Sequence, residues 1–395
     1  MGAIEPRGDI HNFENRYQNA IKHLEKDRKV SRSNKKVIYD FLRDTKIDGI
    51  GRARQVFYIY HLRTLAGYLK KDFDKATKED IKKVVETIQE RPNWAKNTRR
   101  DHRVVLKRFY KWMKGEGKLY PPEVAWISTG GHDVRHLTPN ELVSEEDLRE
   151  LLKNTKNTRE RAILWVMWEG GLRAGELLNL RVKHVVFDQM GAIVYVPEEG
   201  KTGQRPVRLV AAVPALSEYL EQHPTKRQED ALWVSDRQKA FGFAMLTAFL
   251  KRLEESGALT KRLHCHLMRK SAATRVAPHL REAVMKNYFG WTQGSRMPAV
   301  YIHMSGAAVD EEVLRMYGKV PKEENANDKL RPKECNTCGT ANSVDRDWCV
   351  RCRRAVSERA KMQTMEGEKL LLSSLTKEAV EELVQKKFEE LQARH

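Results

Sequence analysis

Helical periodicity, interrupted by one strand-like interval, is the feature that most limits how this chain can fold. Across residues 13–113, apolar residues recur at the helical period and are interleaved with basic residues. Residues 193–196 and 207–210 are instead rich in β-branched residues and flank a glycine-containing turn, which predicts an antiparallel hairpin. Helical patterns resume at Pro214. The sequence therefore predicts a mainly α-helical fold with a small antiparallel β-sheet.

The composition is compatible with two or three folded domains. Of the 395 residues, 40% are hydrophobic, which is enough to bury real cores and excludes wholesale disorder. No apolar run approaches the ~18 residues that a membrane helix needs. Residues 1–10 also lack the basic-then-apolar pattern of a signal peptide. We therefore expect a soluble, cytoplasmic protein with no membrane partner.

The charge balance indicates a polyanionic partner. Lys and Arg number 73 against 54 Asp and Glu, which gives a formal net charge of +19. Because contacts from Lys and Arg to phosphates release condensed counterions, this excess favours nucleic acid over a membrane surface or an acidic protein. A charged surface that binds nothing is the alternative interpretation.

A predicted helix after Asn97 concentrates basic side chains beside an apolar stripe. We interpret these side chains as candidate DNA contacts, although a solvated basic face is an equally common arrangement. The candidate DNA-binding residues are Arg99, Arg100, Arg103, Lys107 and Arg108.

Shifts in composition divide the chain into five parts. Prolines and glycines within 121–140 interrupt the helical pattern, and Lys, Glu, Asn and Asp dominate after Gly318. The predicted parts are a helical domain at 1–120, a linker at 121–140, a second domain at 141–320, a cysteine-bearing unit at 333–354 and an amphipathic helix at 370–395.

Three separated segments of the second domain carry residues suited to phosphate chemistry. Arg173 and Glu176 follow a pair of glycines and are spaced to share a helix face. His266 and Arg269 have the same spacing, so an imidazole and a guanidinium can meet one phosphate. Tyr301 follows in the third segment. Taken singly, a surface ion pair, a buried histidine and a core tyrosine are the ordinary interpretations.

Together, the three segments resemble the tyrosine recombinase, or phage integrase, family in the form found on archaeal plasmids and viruses. The resemblance covers Val143 to about Gly318, and less specifically the helical domain, which occupies the place of the family's core-binding domain. It implies a helical core-binding domain, which clamps DNA, followed by a tyrosine-recombinase catalytic domain. It also implies site-specific cutting and rejoining of DNA through a 3′-phosphotyrosine, without ATP or a catalytic metal.

The resemblance assigns a role to each residue of the three segments. It makes Tyr301 the nucleophile, and Arg173 and Arg269 the groups that hold the non-bridging oxygens of the scissile phosphate. Glu176 orients the first arginine. His266 hydrogen-bonds the phosphate and accepts the tyrosine proton.

Two further positions match the family. Lys201, in the hairpin turn, matches the family's lysine, which protonates the departing 5′-oxygen. Trp291 stands where the family most often has histidine. Its indole N–H donates to a phosphate oxygen but cannot shuttle a proton.

Four cysteines near the C-terminus have the spacing of a metal site. Two C-x-x-C pairs separated by ten residues suit one structural, tetrahedral Zn²⁺ in a small ribbon, and iron also fits the spacing. Two disulfides or free thiols are the alternatives, which a cytosolic chain disfavours. The predicted ligands are Cys335, Cys338, Cys349 and Cys352. Cys265 stands alone and is interpreted as a packing residue.

The sequence thus favours a site-specific recombinase that integrates or excises a mobile element. Its expected partner is double-stranded DNA, on which monomers or dimers assemble into a homotetramer, with residues 307–317 as a candidate segment for exchange between protomers. The expected location is the nucleoid, or the host cytoplasm if a virus encodes the protein. A type IB topoisomerase and a catalytically idle DNA-binding zinc protein are the rival hypotheses.

Overall fold

The computed structural model describes residues 3–6, 8–115, 117, 119–131, 138–197, 203–304, 314, 316–317 and 331–374. The chain divides into two compact units: one comprises His11–Arg135, and the other Met1–Ile10 together with His136–His395. Three sequence predictions concern positions outside the described residues: Lys201, most of the candidate exchange segment and the greater part of the terminal helix.

The His11–Arg135 unit, here the helical unit, is built from helices around one core. Their bounds are α1 (Phe13–Lys26), α2 (Arg32–Ile47), α3 (Arg52–Leu69), a 3₁₀ turn (Phe73–Lys75), α4 (Lys78–Gln89), α5 (Lys96–Lys114) and α6 (Pro122–Ala125). Thr77 is the N-cap of helix α4. Its hydroxyl accepts from the N–H of Asp80 at 3.3 Å, while the Asp80 carboxylate accepts from the N–H of Thr77 at 3.0 Å.

The second unit, here the catalytic unit, contains the helices that follow and a small sheet. The helices are α7 (Glu145–Lys153), α8 (Thr158–Gly170), α9 (Ala174–Leu178), α10 (Val213–Glu221), α11 (Phe243–Glu255), α12 (Cys265–Val276), α13 (Glu282–Phe289) and α14 (Met297–Met304), with 3₁₀ turns at Pro139–Glu141 and Val182–His184. Helix α8 is buried on all sides, including Trp165 and Trp168, because it packs between α10, α12 and the sheet.

The sheet of the catalytic unit has three antiparallel strands in the order β1 (Val185–Asp188), β2 (Gly191–Val196) and β3 (Arg205–Leu209). Val194 lies opposite Val207, and both are fully buried. These two strands confirm the predicted hairpin. The sequence did not indicate β1, because three of its four residues are exposed and no alternation marks it.

A small cysteine-bearing ribbon follows, with a two-stranded sheet of β4 (Lys333–Glu334) and β5 (Ala341–Asn342), then α15 (Glu358–Ser374). The ribbon contacts the rest of the catalytic unit through ion pairs. Arg346 Nη2 lies 2.8 and 2.7 Å from the two carboxylate oxygens of Glu218, and Arg161 pairs with Asp345. Val344 packs against the main core.

The first residues of the chain also pack on the catalytic unit. The N–H of Ile4 donates to Asp230 Oδ1 at 2.9 Å, and its carbonyl accepts from Ala231 at 2.7 Å. Gly8 exchanges two hydrogen bonds with the Asn179 side chain, at 3.0 and 2.9 Å. Residues 3–6 and 8–10 thus form an N-terminal strap.

The observed architecture confirms the predicted fold class, mainly α-helical with small antiparallel sheets. Within the part of the chain that the structure describes, no helix combines the length and apolar character needed to cross a bilayer.

Candidate active site

The first predicted arginine lies where one buried helix ends and a short one begins. Gly171 caps α8 with a φ of 56°, and a Cβ there would lie 2.6 Å from Cε1 of Phe289. Only glycine suits both the backbone angle and the space. The next turn places Arg173 at the N-cap of α9. Its backbone N–H and its guanidinium donate to the Glu176 carboxylate at 2.8 and 2.6 Å.

The second predicted arginine projects from α12 to the same carboxylate. Arg269 is 4% exposed, and its Nη1 lies 3.8 Å from Glu176 Oε2. The guanidinium donates to the carbonyl oxygen of Gly171 at 2.7 Å and to that of Phe289. Burial, reinforced by the charge of Arg173, lowers the pKa of Arg269. A guanidinium nevertheless stays protonated in proteins, so it remains a charged donor.

A third arginine, which the sequence analysis did not single out, completes this cluster. Arg205 is 6% exposed and pairs bidentately with Glu176, with Nη1 to Oε1 at 3.0 Å and Nη2 to Oε2 at 2.8 Å. A signal was present in the sequence, because Arg205 shares a strand face with buried Val207 and Leu209, where apolar residues are expected. We name Arg173, Arg205, Arg269 and Glu176 the arginine cluster.

The three arginines donate to three successive carbonyl oxygens at the C-terminus of α13. Arg205 donates to Tyr288, Arg269 to Phe289 and Arg173 to Gly290. The last carbonyls of a helix lack intrahelical partners and carry partial negative charge, so cationic donors suit them. The cluster therefore ties α13 to α9, α12 and β3.

Glu176 is the carboxylate that all three arginines share. Although burial opposes it, hydrogen bonds and charge from Arg205, with a further contribution from Arg173, lower the pKa of Glu176 to about 2. The carboxylate therefore stays ionised at neutral pH. One carboxylate facing three guanidiniums leaves an excess of positive charge, and such an environment attracts an anion.

His266 lies one turn before Arg269 on α12. With Arg173 and Arg269, it lines a cavity of about 370 Å³ whose other wall is apolar and includes Leu250. Burial lowers the pKa of His266, and the positive charges of Lys270 and Arg269 lower it further. The imidazole is therefore neutral at pH 7 and able to accept a proton.

Tyr301 lies on α14 and is 1% exposed. Its ring stacks on Trp291, with the ring centroids 5.4 Å apart and the planes within 5°. The Arg269 guanidinium lies 5.7 Å from the Trp291 ring centroid. Burial raises the pKa of Tyr301, and Arg269 only partly offsets this rise. The phenol is therefore protonated at neutral pH, and its use as a nucleophile requires removal of that proton.

The structure thus brings most of the predicted site residues together. Two guanidiniums oriented by a carboxylate can hold the oxygens of one phosphate, a neutral imidazole can take a proton, and a phenol can attack phosphorus. Lys201, predicted as the general acid, lies outside the described residues.

The four cysteines of the ribbon also converge. Their Sγ atoms all lie within 4.8 Å of one another, and two of them, Cys335 and Cys349, are buried. The two C-x-x-C turns are alike: Gly339 donates to the carbonyl of Cys335 at 2.8 Å, and Arg353 to that of Cys349 at 3.0 Å. Both following residues have a positive φ, 69° at Gly339 and 61° at Arg353. Four thiolates so placed can hold one tetrahedral metal ion.

The basic residues of α5 have partners within the helical unit. Arg100 donates to the carbonyl of Thr129 at 2.9 Å, Arg103 to that of Ser128 at 3.0 Å and Lys107 to that of Ile127 at 2.7 Å. Arg99 donates to the carbonyl of Arg91, and Arg108 lies over the Tyr58 ring. Contact with DNA remains a prediction for these residues.

Comparisons with solved structures define the fold class. The chain is similar to the Tn1549 transposon integrase in complex with transposon right end DNA, with a TM-score of 0.56 and 16% identity over 71% of this chain and 98% of that one. It is also similar to a lambda integrase dimer bound to a COC′ core site, with a TM-score of 0.55 and 16% identity over 69% and 77% of the two chains. The chain shares its fold with these two integrases.

Sequence comparisons agree with this class. Residues 141–307 match the model of the phage integrase family. A tyrosine recombinase of Synechococcus elongatus is 34% identical over 140 residues, which are 33% of this chain and 43% of the relative. XerC of Yersinia pestis is 28% identical over 179 residues, 43% and 56% of the two chains. The aligned part of this chain thus spans about half the length of these relatives.

Proposed function

We propose that the protein is a site-specific DNA recombinase that cuts and rejoins double-stranded DNA through a phosphotyrosine intermediate. One observation carries this proposal. The Tyr301 ring stacks on Trp291, and the Arg269 guanidinium lies on the Trp291 ring. The Glu176 carboxylate orients the neighbouring Arg173 guanidinium. The resemblance of residues 141–307 to the phage integrase family, and of the fold to DNA-bound recombinases, supports it.

In the proposed reaction, the Tyr301 oxygen attacks the scissile phosphorus. A bond forms between this oxygen and phosphorus while the bond from phosphorus to the 5′-oxygen breaks. Arg173 and Arg269 hold the two non-bridging oxygens and stabilise the additional negative charge of the transition state. The free energy of the broken bond is kept in the phosphotyrosine, so attack by a 5′-hydroxyl rejoins DNA without ATP.

Two proton transfers accompany the attack. His266, neutral at pH 7 because of its lowered pKa, takes the phenol proton. Lys201 supplies a proton to the departing 5′-oxygen, the role that the family resemblance implies for it. Trp291 donates its indole N–H to a phosphate oxygen but transfers no proton.

The ribbon is proposed to hold one structural Zn²⁺ through Cys335, Cys338, Cys349 and Cys352. Thiolates favour Zn²⁺, and a closed set of four ligands leaves no position for a substrate. We also propose that the helical unit clamps DNA, and that four copies assemble on paired sites. A mobile element of an archaeal plasmid or virus, acting in the cytoplasm of its host, is the proposed source.

The first prediction tests the nucleophile. The wild type and Tyr301→Phe are incubated with fragmented DNA from the source organism and denatured with detergent, and the covalently attached DNA is sequenced. The wild type is expected to give adducts at one recurring sequence, and Tyr301→Phe none. DNA affinity should change by less than about twofold, because only one oxygen outside the main phosphate contacts is lost.

The control is Tyr60→Phe, which alters an exposed tyrosine of the helical unit and should leave the adducts unchanged. Adducts at scattered sequences would instead favour a type IB topoisomerase. Retained DNA binding with no wild-type adduct would favour a DNA-binding protein without catalysis.

A further inference from the structure

Arg205 is the member of the arginine cluster to which the proposed reaction gives no role. Its guanidinium uses three nitrogens: Nη1 and Nη2 for the two oxygens of Glu176 and Nε for the carbonyl of Tyr288 at 2.9 Å. The side chains of the Arg205 and Glu176 pair are 7% and 4% exposed. A desolvated ion pair of this kind is weak evidence of stability. Removing both charges from water costs much of the free energy that their attraction supplies.

Each oxygen of Glu176 is shared between Arg205 and Arg173. Oε1 accepts from Arg173 Nη1 at 2.6 Å and from Arg205 Nη1 at 3.0 Å. Oε2 accepts from the Arg173 backbone N–H and from Arg205 Nη2, both at 2.8 Å. The orientation of the carboxylate towards Arg173 is therefore set as much by Arg205 as by Arg173 itself.

Arg269 is held differently. Its Nη1 stands 3.8 Å from Glu176 Oε2, beyond hydrogen-bond distance, and donates to the carbonyl of Gly171 instead. Arg205 occupies the positions on Glu176 that Arg269 would otherwise take. With Arg205 removed, the carboxylate is free to draw Arg269 towards itself and away from a bound phosphate.

We propose that Arg205 is a positioning residue for DNA cleavage: it locks Glu176 so that Arg173 and Arg269 keep their guanidiniums available for the scissile phosphate. This inference rests on the proposed function. Lysine is a poor replacement, because one ammonium cannot span both carboxylate oxygens and the Tyr288 carbonyl as a planar fork does.

The test compares two substrates of different charge. A synthetic duplex carrying the sequence recovered from wild-type adducts is made with an ordinary scissile phosphate, or with a neutral methylphosphonate at that position. Because the neutral group needs less positive charge to reach its transition state, faulty placement of Arg173 and Arg269 matters less on it. Single-turnover cleavage is measured for the wild type, Arg205→Gln, Arg205→Lys and Arg208→Gln.

On the phosphate, Arg205→Gln should slow cleavage by about 100-fold, the loss typical of one misplaced transition-state donor, and Arg205→Lys by less. On the methylphosphonate, the loss should be under about tenfold. DNA affinity should be unchanged. Arg208→Gln is the matched control, since Arg208 lies on the same strand but pairs with Asp188 at the exposed surface, and it should cleave as the wild type does.

A loss from partial unfolding lowers the active fraction equally on both substrates, so the ratio between substrates separates the two causes. Equal slowing on both substrates, or no slowing on the phosphate, would overturn the role of Arg205. Failure of the wild type itself to form an adduct would instead refute the proposed function.

Discussion

Glu169, which is partly buried, and Glu176, which is buried, lie on consecutive helices, and their pKa values shift in opposite directions. Burial raises the pKa of Glu169, although it accepts the backbone N–H groups of Val210, Ala211 and Ala212. Burial acts on Glu176 in the same sense, but the arginines outweigh it and lower the pKa to about 2. Fixed positive charge, rather than burial, thus decides the ionisation of the site carboxylate.

The pH dependence of cleavage should report His266. Because its pKa is lowered, the neutral form of His266 predominates at pH 7. As the pH is lowered from 7, the cleavage rate should stay constant until the pH reaches the pKa of His266. Below it, protonation removes the acceptor, and the rate should fall by about tenfold per pH unit. Single-turnover adduct formation between about pH 5 and 8 measures this dependence.

In His266→Asn, the cleavage rate should be lower at every pH, and the fall in rate at low pH should disappear. His264 is the matched control, since it caps α12 by accepting from Leu267 at 3.1 Å and its pKa is also lowered. If the fall in rate at low pH persisted in His266→Asn and disappeared in His264→Asn, His264 would be the residue that accepts the tyrosine proton.

The sequence was sufficient to select Arg173, Glu176, Arg269 and Tyr301, because a resemblance spread over three segments pointed to them jointly. The same resemblance did not identify Arg205. Its partner Glu176 is 29 positions away along the chain, and no local spacing in the sequence predicts such a pair. Only its position on the buried face of β3 distinguishes Arg205 from the many surface arginines.

Among the elements, α5 shows that a periodic basic face can have partners within its own unit. Its basic side chains at 100, 103 and 107 follow the helical period and were interpreted as DNA contacts. They donate to the successive carbonyls of Thr129, Ser128 and Ile127, and so fix the segment that follows α6 along the helix. A periodic basic face looks the same in sequence whether its partners are phosphates or carbonyl oxygens, which is why the pattern alone could not separate them.

Local signals were more reliable for helix starts. Thr77 and Ser144 each form a capping box with an aspartate three residues later, and this spacing is visible in the sequence. The short strands β1, β4 and β5 carried no comparable signal, because their two to four residues are too few to display a period.

The ribbon provides a prediction at the scale of an element. Purified protein should contain about one zinc per chain by elemental analysis, since four thiolates form one site. Cys349→Ser should lose the metal. Chelation should lower the temperature of unfolding of the wild type but not of the variant, because a unit this small depends on its metal to fold.

Cys265→Ser is the control, because Cys265 packs against the core, where burial raises its pKa to about 11, and it lies apart from the four-cysteine group. Retention of zinc in Cys349→Ser would contradict the assigned ligands. Iron in place of zinc would keep the ligands and change the metal.

At the scale of the whole molecule, the N-terminal strap contributes to the catalytic unit. Asp230 is fully buried and accepts from Ile4, so removal of the strap leaves a buried carboxylate oxygen without this donor. Such a loss costs about 1–3 kcal/mol. Deletion of residues 2–10 should therefore lower the unfolding temperature of the catalytic unit by about 3–10 °C.

Differential scanning calorimetry of the full chain and of the deletion measures this change. Glu5→Ala alters an exposed side chain of the same segment and should leave the transition in place. An unchanged transition in the deletion would mean that the strap adds nothing to the stability of the catalytic unit.

The division of the chain has a consequence for how its parts can be separated. Because residues 1–10 belong with 136–395, the polypeptide passes from one unit to the other twice, and the helical unit is an insertion with both of its ends joined to the same body. A single cut near residue 135 yields a fragment without the strap that holds Asp230 and Asn179. An intact catalytic fragment therefore requires residues 1–10 to be rejoined to 136 by a new peptide connection, and a helical unit from another protein can replace this one only through two junctions.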